Sequence, residues 1–401
     1  MAEAPATTLP AQGARPRRVA VVGVSESETC GVRDHGELLI EGLAGEGIAA
    51  SSHWLTRRAS SFGEARAEFL GWTRRLSSEL AAERPDAVVL QYSVFSYSYR
   101  GFPLFVRPAL AAVRASGAPV LALLHEYAYP WGRSGLKGAA WALSQRAALR
   151  GVIGSSSAVL VTAPIRAEWL ASRRWLAERE IGLAPVYSNL PPPSASASAS
   201  ASVSEQAEDG TPIIGLFGYA YEGAASALVL DALALLRARG VSFRLQLLGA
   251  PGPASPAAEA WRAGAAERGL EEALSFSGVL PAQDLSDALA RCDVLLHPEP
   301  SGPTSRKGTL AGSLASGTAL VAIDGPRSWQ ELTDAQAALV VAPEPAALAE
   351  GIAGLLADPV ARAALGARGG EFARTAMGVP RTARAVASAL DGMLAAGPAR
   401  S

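Results

Sequence analysis

Apolar runs and amphipathic stretches alternate along most of this chain. Residues 19–24 form an uninterrupted apolar run, the pattern of a parallel strand buried on both faces. Short runs at 87–90, 119–124 and 158–162 predict further strands, with helical periodicity at 64–82 and 136–150 between them. The plan repeats in the second half. Residues 213–217, 243–248, 274–277, 294–297 and 319–323 read as strands, and 224–238, 256–268, 285–291 and 346–357 as helices. This alternation predicts an α/β fold of two doubly wound parallel sheets. Such sheets take ligands at the carboxyl ends of their strands. Two of them facing each other put the ligand in the cleft between domains.

Serine and alanine alternate through residues 194–204, directly after three prolines at 191–193. A tract with nothing to bury is expected to be a flexible linker. The expected organisation is a disordered tail at 1–17, a first Rossmann-like domain at 18–193 and a linker at 194–211. A second Rossmann-like domain then spans 212–380, and a C-terminal helix at 381–401 is expected to pack back on the first. A length of 401 residues agrees with two domains. The net charge of −1 provides no bulk attraction for nucleic acid or an anionic membrane. Cys30 and Cys292 lie far apart, as free thiols of a reducing compartment would. No apolar signal segment precedes Val19, and no apolar run reaches the roughly 18–20 residues of a membrane span. A cytoplasmic protein without a transmembrane segment is expected. The four histidines show no metal-ligand spacing, so neither a metal nor a cofactor is expected.

Candidate chemistry concentrates at strand ends. Residues 301–309, Ser-Gly-Pro-Thr-Ser-Arg-Lys-Gly-Thr, follow a short strand and open a helix. The first N–H groups of a helix lack internal partners and carry partial positive charge. With Arg306 and Lys307 beside them, they form a candidate diphosphate site, with Ser305, Gly308 and Thr309 as further donors. The plainer reading is a helix start whose two cations are only solvated. His125 ends an apolar strand and precedes Glu126; it is a candidate hydrogen-bonding group for a ligand, or simply a structural histidine. Gly31, Arg33 and Asp34 follow the first strand and suit phosphate or acceptor contacts, or a solvated loop. Tyr92, Phe95, Tyr97, Tyr99, Phe102, Tyr127, Tyr129 and Trp131 follow strand ends, where aromatic rings either stack on sugars or pack beneath loops.

Taken in order, these segments resemble the retaining, two-domain family-4 glycosyltransferases of the GT-B fold. The resemblance covers roughly residues 17–394. The glycine-bearing segment at 30–39 is similar to the family's loop facing diphosphate and acceptor. Residues 91–103, beginning Gln91-Tyr92, resemble the Gln-Tyr loop of one bacterial branch. Residues 124–126, Leu-His-Glu, match the strand end that carries the family's active-site histidine, which implies a catalytic role for His125. Residues 185–189 and 216–219 resemble the segments closing the first domain and opening the second, and imply donor contact at Gly218. The family's two loop glutamates correspond to Thr304 and Gly312, and its arginine after phenylalanine-glycine to Tyr219. Its nearby lysine is missing too. A bacterial branch with a loop similar to residues 302–309 departs in the same way, which implies donor binding by Thr304 through Thr309. Glu299 and Glu331 are the nearest carboxylates that would replace the lost ribose contact. The resemblance implies metal-independent, retaining transfer from a nucleotide sugar to an acceptor: a saccharide, a lipid-linked glycan or a small metabolite. The rivals are a degenerate relative that binds sugar or a partner without turnover, and a sugar-nucleotide epimerase.

Overall fold

Two six-stranded sheets, every strand pair parallel, organise the protein in a computed structural model. The structure describes residues 17–27, 30–177, 179–197, 210–220 and 223–395. The expected tail and most of the expected linker lie outside the described residues.

The first sheet runs β2-β1-β3-β4-β5-β6. Its strands are β1 (Arg17–Ser25), β2 (Ile48–Thr56), β3 (Ala87–Ser93), β4 (Val120–Glu126), β5 (Ala158–Val161) and β6 (Ile181–Leu183). Between them lie α1 (Gly31–Gly45), α2 (Phe62–Glu83), α3 (Val106–Arg114), α4 (Gly135–Ser155) and α5 (Pro164–Ala171). Alternation along β1 shows why the run is apolar throughout. Ala20, Val22 and Val24 join the core that holds Phe69, Trp72 and Leu76 of α2, while Val19 and Val21 join Leu39 and Leu43 of α1. α2 begins with a capping box, Ser61 and Glu64 each satisfying the other's backbone N–H.

The second sheet runs β12-β11-β10-β7-β8-β9, the order 3-2-1-4-5-6 read from its other edge. Its strands are β7 (Ile213–Phe217), β8 (Arg244–Leu248), β9 (Leu274–Gly278), β10 (Val294–His297), β11 (Ala319–Ile323) and β12 (Leu339–Val341). Helices α6 (Ala224–Ala238), α7 (Pro256–Ala266), α8 (Ala282–Ala290), α9 (Gly308–Ala315), α10 (Gln330–Asp334), α11 (Pro345–Ala357) and α12 (Pro359–Ala376) cover it. The strand order reverses between β7 and β10, so a crevice opens at their carboxyl ends, where Gly218 and residues 298–307 stand.

The last helix, α13 (Val379–Ala395), leaves the second domain and packs on α1, β5 and β6 of the first. Ala383, Val386, Leu390 and Met393 complete the core beneath Val19 and Val21. Thr382, fully buried, donates its hydroxyl to the Pro185 carbonyl at 2.8 Å.

Candidate active site

β4 is buried along its length and delivers His125 and Glu126 to the cleft. His125 Nε2 lies 2.7 Å from Oε1 of the fully buried Gln91 on β3. The His125 ring meets His35 edge to face at 4.9 Å, and His35 stacks on Tyr187 at 4.3 Å. The Tyr187 hydroxyl donates to the His35 carbonyl, while neither ring nitrogen of His35 has a partner. Burial drives His125 well below the ordinary histidine value, with His35 and Arg166 adding to the effect. It also brings His35 down to about 3. Both imidazoles are therefore neutral near pH 7.

Glu126 accepts from two arginines. Arg166 Nη2 of α5 donates to Oε2 at 2.7 Å, and Arg306 Nη1 of the second domain donates to Oε1 at 2.9 Å. Arg166 also donates through Nη1 to the His125 carbonyl and to Thr162 Oγ1. One carboxylate thus joins the domains next to His125.

The loop after β10 crosses the same gap. Ser305 is fully buried; its hydroxyl donates to the Thr162 carbonyl and its own carbonyl accepts the Val186 N–H, both at 2.8 Å. Its hydroxyl is spent on the first domain, where the sequence suggested a ligand donor. Thr304 is buried, with Oγ1 unpartnered. Lys307 Nζ sits 2.7 Å from Glu299 Oε2. Burial pushes the Glu299 carboxyl up, but the hydrogen bonds of Lys307 and Ser301 and the Lys307 charge outweigh it and hold it below the usual range. α9 starts at Gly308 with Lys307 as N-cap and no side-chain cap, so its first N–H groups stay available. Gly218, at φ +68°, lies against this start; a Cβ there would be 3.1 Å from the Thr309 methyl.

The first glycine loop is less convergent than the sequence suggested. Gly31 opens α1, and its carbonyl accepts from Asn189 Nδ2 at 3.4 Å. Arg33 turns to β2 and donates to Thr56 Oγ1 at 3.1 Å, while Asp34 is exposed. Of the substitute carboxylates, Glu331 is held by Arg381 at 2.6 and 3.1 Å. Gly312 packs so closely on Phe217 that a Cβ would lie 2.7 Å from Cε1. Tyr219 is fully buried and meets Phe276 edge to face.

Arg166 escaped the sequence reading, and so did the cations around it. Arg166 lies over Tyr127 at 5.2 Å, and Arg146 lies over Trp131 at 4.6 Å and Trp169 at 5.9 Å. Each of these rings carries a guanidinium over one face. Tyr92 and Tyr97 are buried in the first domain's core. Among the described residues no group of three or more His, Cys, Asp or Glu is placed to hold a metal ion. No described helix is long and apolar enough to cross a membrane.

Residues 211–358 match the family model described as glycosyl transferases group 1, which makes the second domain one of that group. The fold as a whole is that of known GT-B proteins. Sucrose-phosphate synthase from Thermosynechococcus elongatus superposes with a TM-score of 0.66 at 17% identity, covering 95% of this chain and 100% of that one. HepE from Anabaena, solved with UDP and glucose, gives 0.64 at 15%, covering 93% and 99%. WaaG, a glycosyltransferase involved in lipopolysaccharide biosynthesis, gives 0.64 at 14%, covering 94% and 99%. No curated protein sequence matches this chain. The fold is thus GT-B, and its second domain carries the match to the group 1 glycosyl transferases.

Proposed function

We propose that the protein moves a glycosyl group from a nucleotide-sugar donor to an acceptor, with retention and without a metal ion. One observation carries the reading. The uncapped start of α9, flanked by Arg306 and Lys307, stands at the strand-order reversal of the second sheet and meets the His125 strand end across the cleft. Breaking a sugar–diphosphate bond builds negative charge on the leaving oxygens. Preorganised cations and N–H groups aimed there supply the largest single stabilisation, about 3–4 kcal/mol for each contact removed. In this reading the diphosphate takes Arg306 and Lys307 over from Glu126 and Glu299 and lies on the N–H groups of residues 308–310. Gly31 and Gly218 let backbone approach it, and neutral His125 hydrogen-bonds the sugar. HepE from Anabaena was solved with UDP-glucose, which makes UDP the first nucleotide to try.

The test is calorimetric titration of the full chain with UDP, GDP, dTDP and ADP, with and without magnesium. Binding of one nucleotide without metal is expected, weakened about 10- to 100-fold in an Arg306→Ala, Lys307→Ala double variant, since hydrogen bonds to charged groups are worth about 1.5–3 kcal/mol. Unchanged affinity in that variant removes the loop from the site. The tight packing of Gly312, which leaves no room for the family's ribose-gripping carboxylate, favours a second reading: sugar or partner binding without turnover. Failure of every nucleotide to bind a folded chain would favour that reading.

A further inference from the structure

Beside Glu126 a pocket of about 420 Å³ opens between the domains, and its charge is one-sided. Arg133, Arg146, Arg166, Arg306 and Arg327 all line it, against Glu126 as its one carboxylate. Both oxygens of Glu126 are taken by Arg166 and Arg306. No carboxylate pairs with Arg133, Arg146 or Arg327 among the described residues. Arg146 donates through Nη1 to the carbonyls of Tyr129 and Ala142 and lies between the rings of Trp131 and Trp169, which fixes its guanidinium. Glu168 and Glu331 belong to the adjoining pocket, and Glu331 is already held by Arg381. Gathering cations is unfavourable: burial pulls Arg306 below the ordinary arginine value, and Arg166 and Arg327 add to the effect against the pull of Glu126 and Glu299.

We propose that this pocket seats a phosphomonoester carried by the acceptor. The inference rests on the glycosyl-transfer reading above and adds the acceptor's chemical class. A phosphomonoester carries about −1.5 to −2 charge at neutral pH, and a carboxylate only −1. Three uncompensated guanidiniums match the former, and the planar guanidinium fork fits phosphate oxygens in pairs. The volume suits a ligand of monosaccharide-phosphate size. Glu126, which lines the pocket, directly follows the proposed catalytic His125 on β4.

The full chain is titrated with inorganic phosphate, glucose 6-phosphate, glucose and UDP. Phosphatidylcholine vesicles with and without phosphatidic acid separate a lipid headgroup from a soluble source. Inorganic phosphate and one phosphorylated probe are expected to bind while glucose does not. Arg133→Ala and Arg327→Ala are each expected to weaken that binding about ten-fold, with UDP affinity in Arg133→Ala changed by less than about two-fold. Saturating UDP should leave the phosphate bound. One-for-one displacement of phosphate by UDP would overturn the inference while supporting the donor reading. A chain that binds UDP but none of the phosphorylated probes would overturn it too. Phosphate binding without any nucleotide binding would support the pocket and remove the donor reading instead.

Discussion

Of the four buried histidines, burial holds three neutral: His35 and His125 at the cleft, and His297 at the end of β10. Burial brings His297 down to about 4. Each is neutral when folded but takes up a proton near pH 6.5 once unfolded. The unfolded chain therefore binds more protons below that pH. The stabilisation is complete above about pH 6.5 and drains as pH falls toward the folded values. The expected slope approaches about 1.4 kcal/mol per pH unit for each histidine between pH 6 and 5. Urea unfolding at pH 7, 6 and 5 measures it, and His297→Leu should flatten it; an unaltered slope in that variant would sink the argument. For catalysis, His125→Ala should lower kcat about 10²- to 10³-fold with little change in nucleotide affinity. Equal turnover in the variant would return His125 to a structural role. The sequence marked His125 by its place at a strand end. It did not mark Arg166 or the burial of His35, because His125 and Glu126, which Arg166 bonds, and His125 and Tyr187, which cover His35, lie 40 or more residues away in the chain.

At the scale of elements, most of the strands that could be read in advance are buried on both faces, although the edge strand β9 was read as well. β1 and β10 appear as apolar runs because neither face meets water. β2 stayed hidden because it is an edge strand bearing Ser51, Ser52 and His53, whose side chains bond Glu83, Glu37 and Glu79. β6 and β12 are three-residue edge strands, too short for a periodic signal. The loop after β10 was recognisable from its composition. Its hold on the first domain was not, since Ser305, Arg306 and their partners are distant in sequence. Within α9, Gly312 is fixed by contact with Phe217 and Leu190. Gly312→Ala should cost about 1–3 kcal/mol through overpacking, despite alanine's better helix propensity. Denaturant titration reads this; a gain in stability would mean that Phe217 moves aside freely.

Across the molecule, the domains are joined by more than the cleft. Glu126 bridges Arg166 and Arg306, the 185–194 segment lies against the second domain, and α13 returns to the first. Leu390, fully buried in the first domain's core, should cost about 2–5 kcal/mol on truncation to alanine. Hydrogen exchange would then rise at β1 and α1 rather than in the second sheet, and the opposite pattern would contradict the packing. The return of α13 also bears on how the protein is made. Val19, Val21, Leu39 and Leu43 are synthesised more than 300 residues before the side chains that cover them, Ala383 to Met393. The first domain is therefore kept waiting with an open apolar face while the second is translated. Its core closes only after the second domain has been made, and a message cut short before residue 379 would yield a chain whose early half has no finished core.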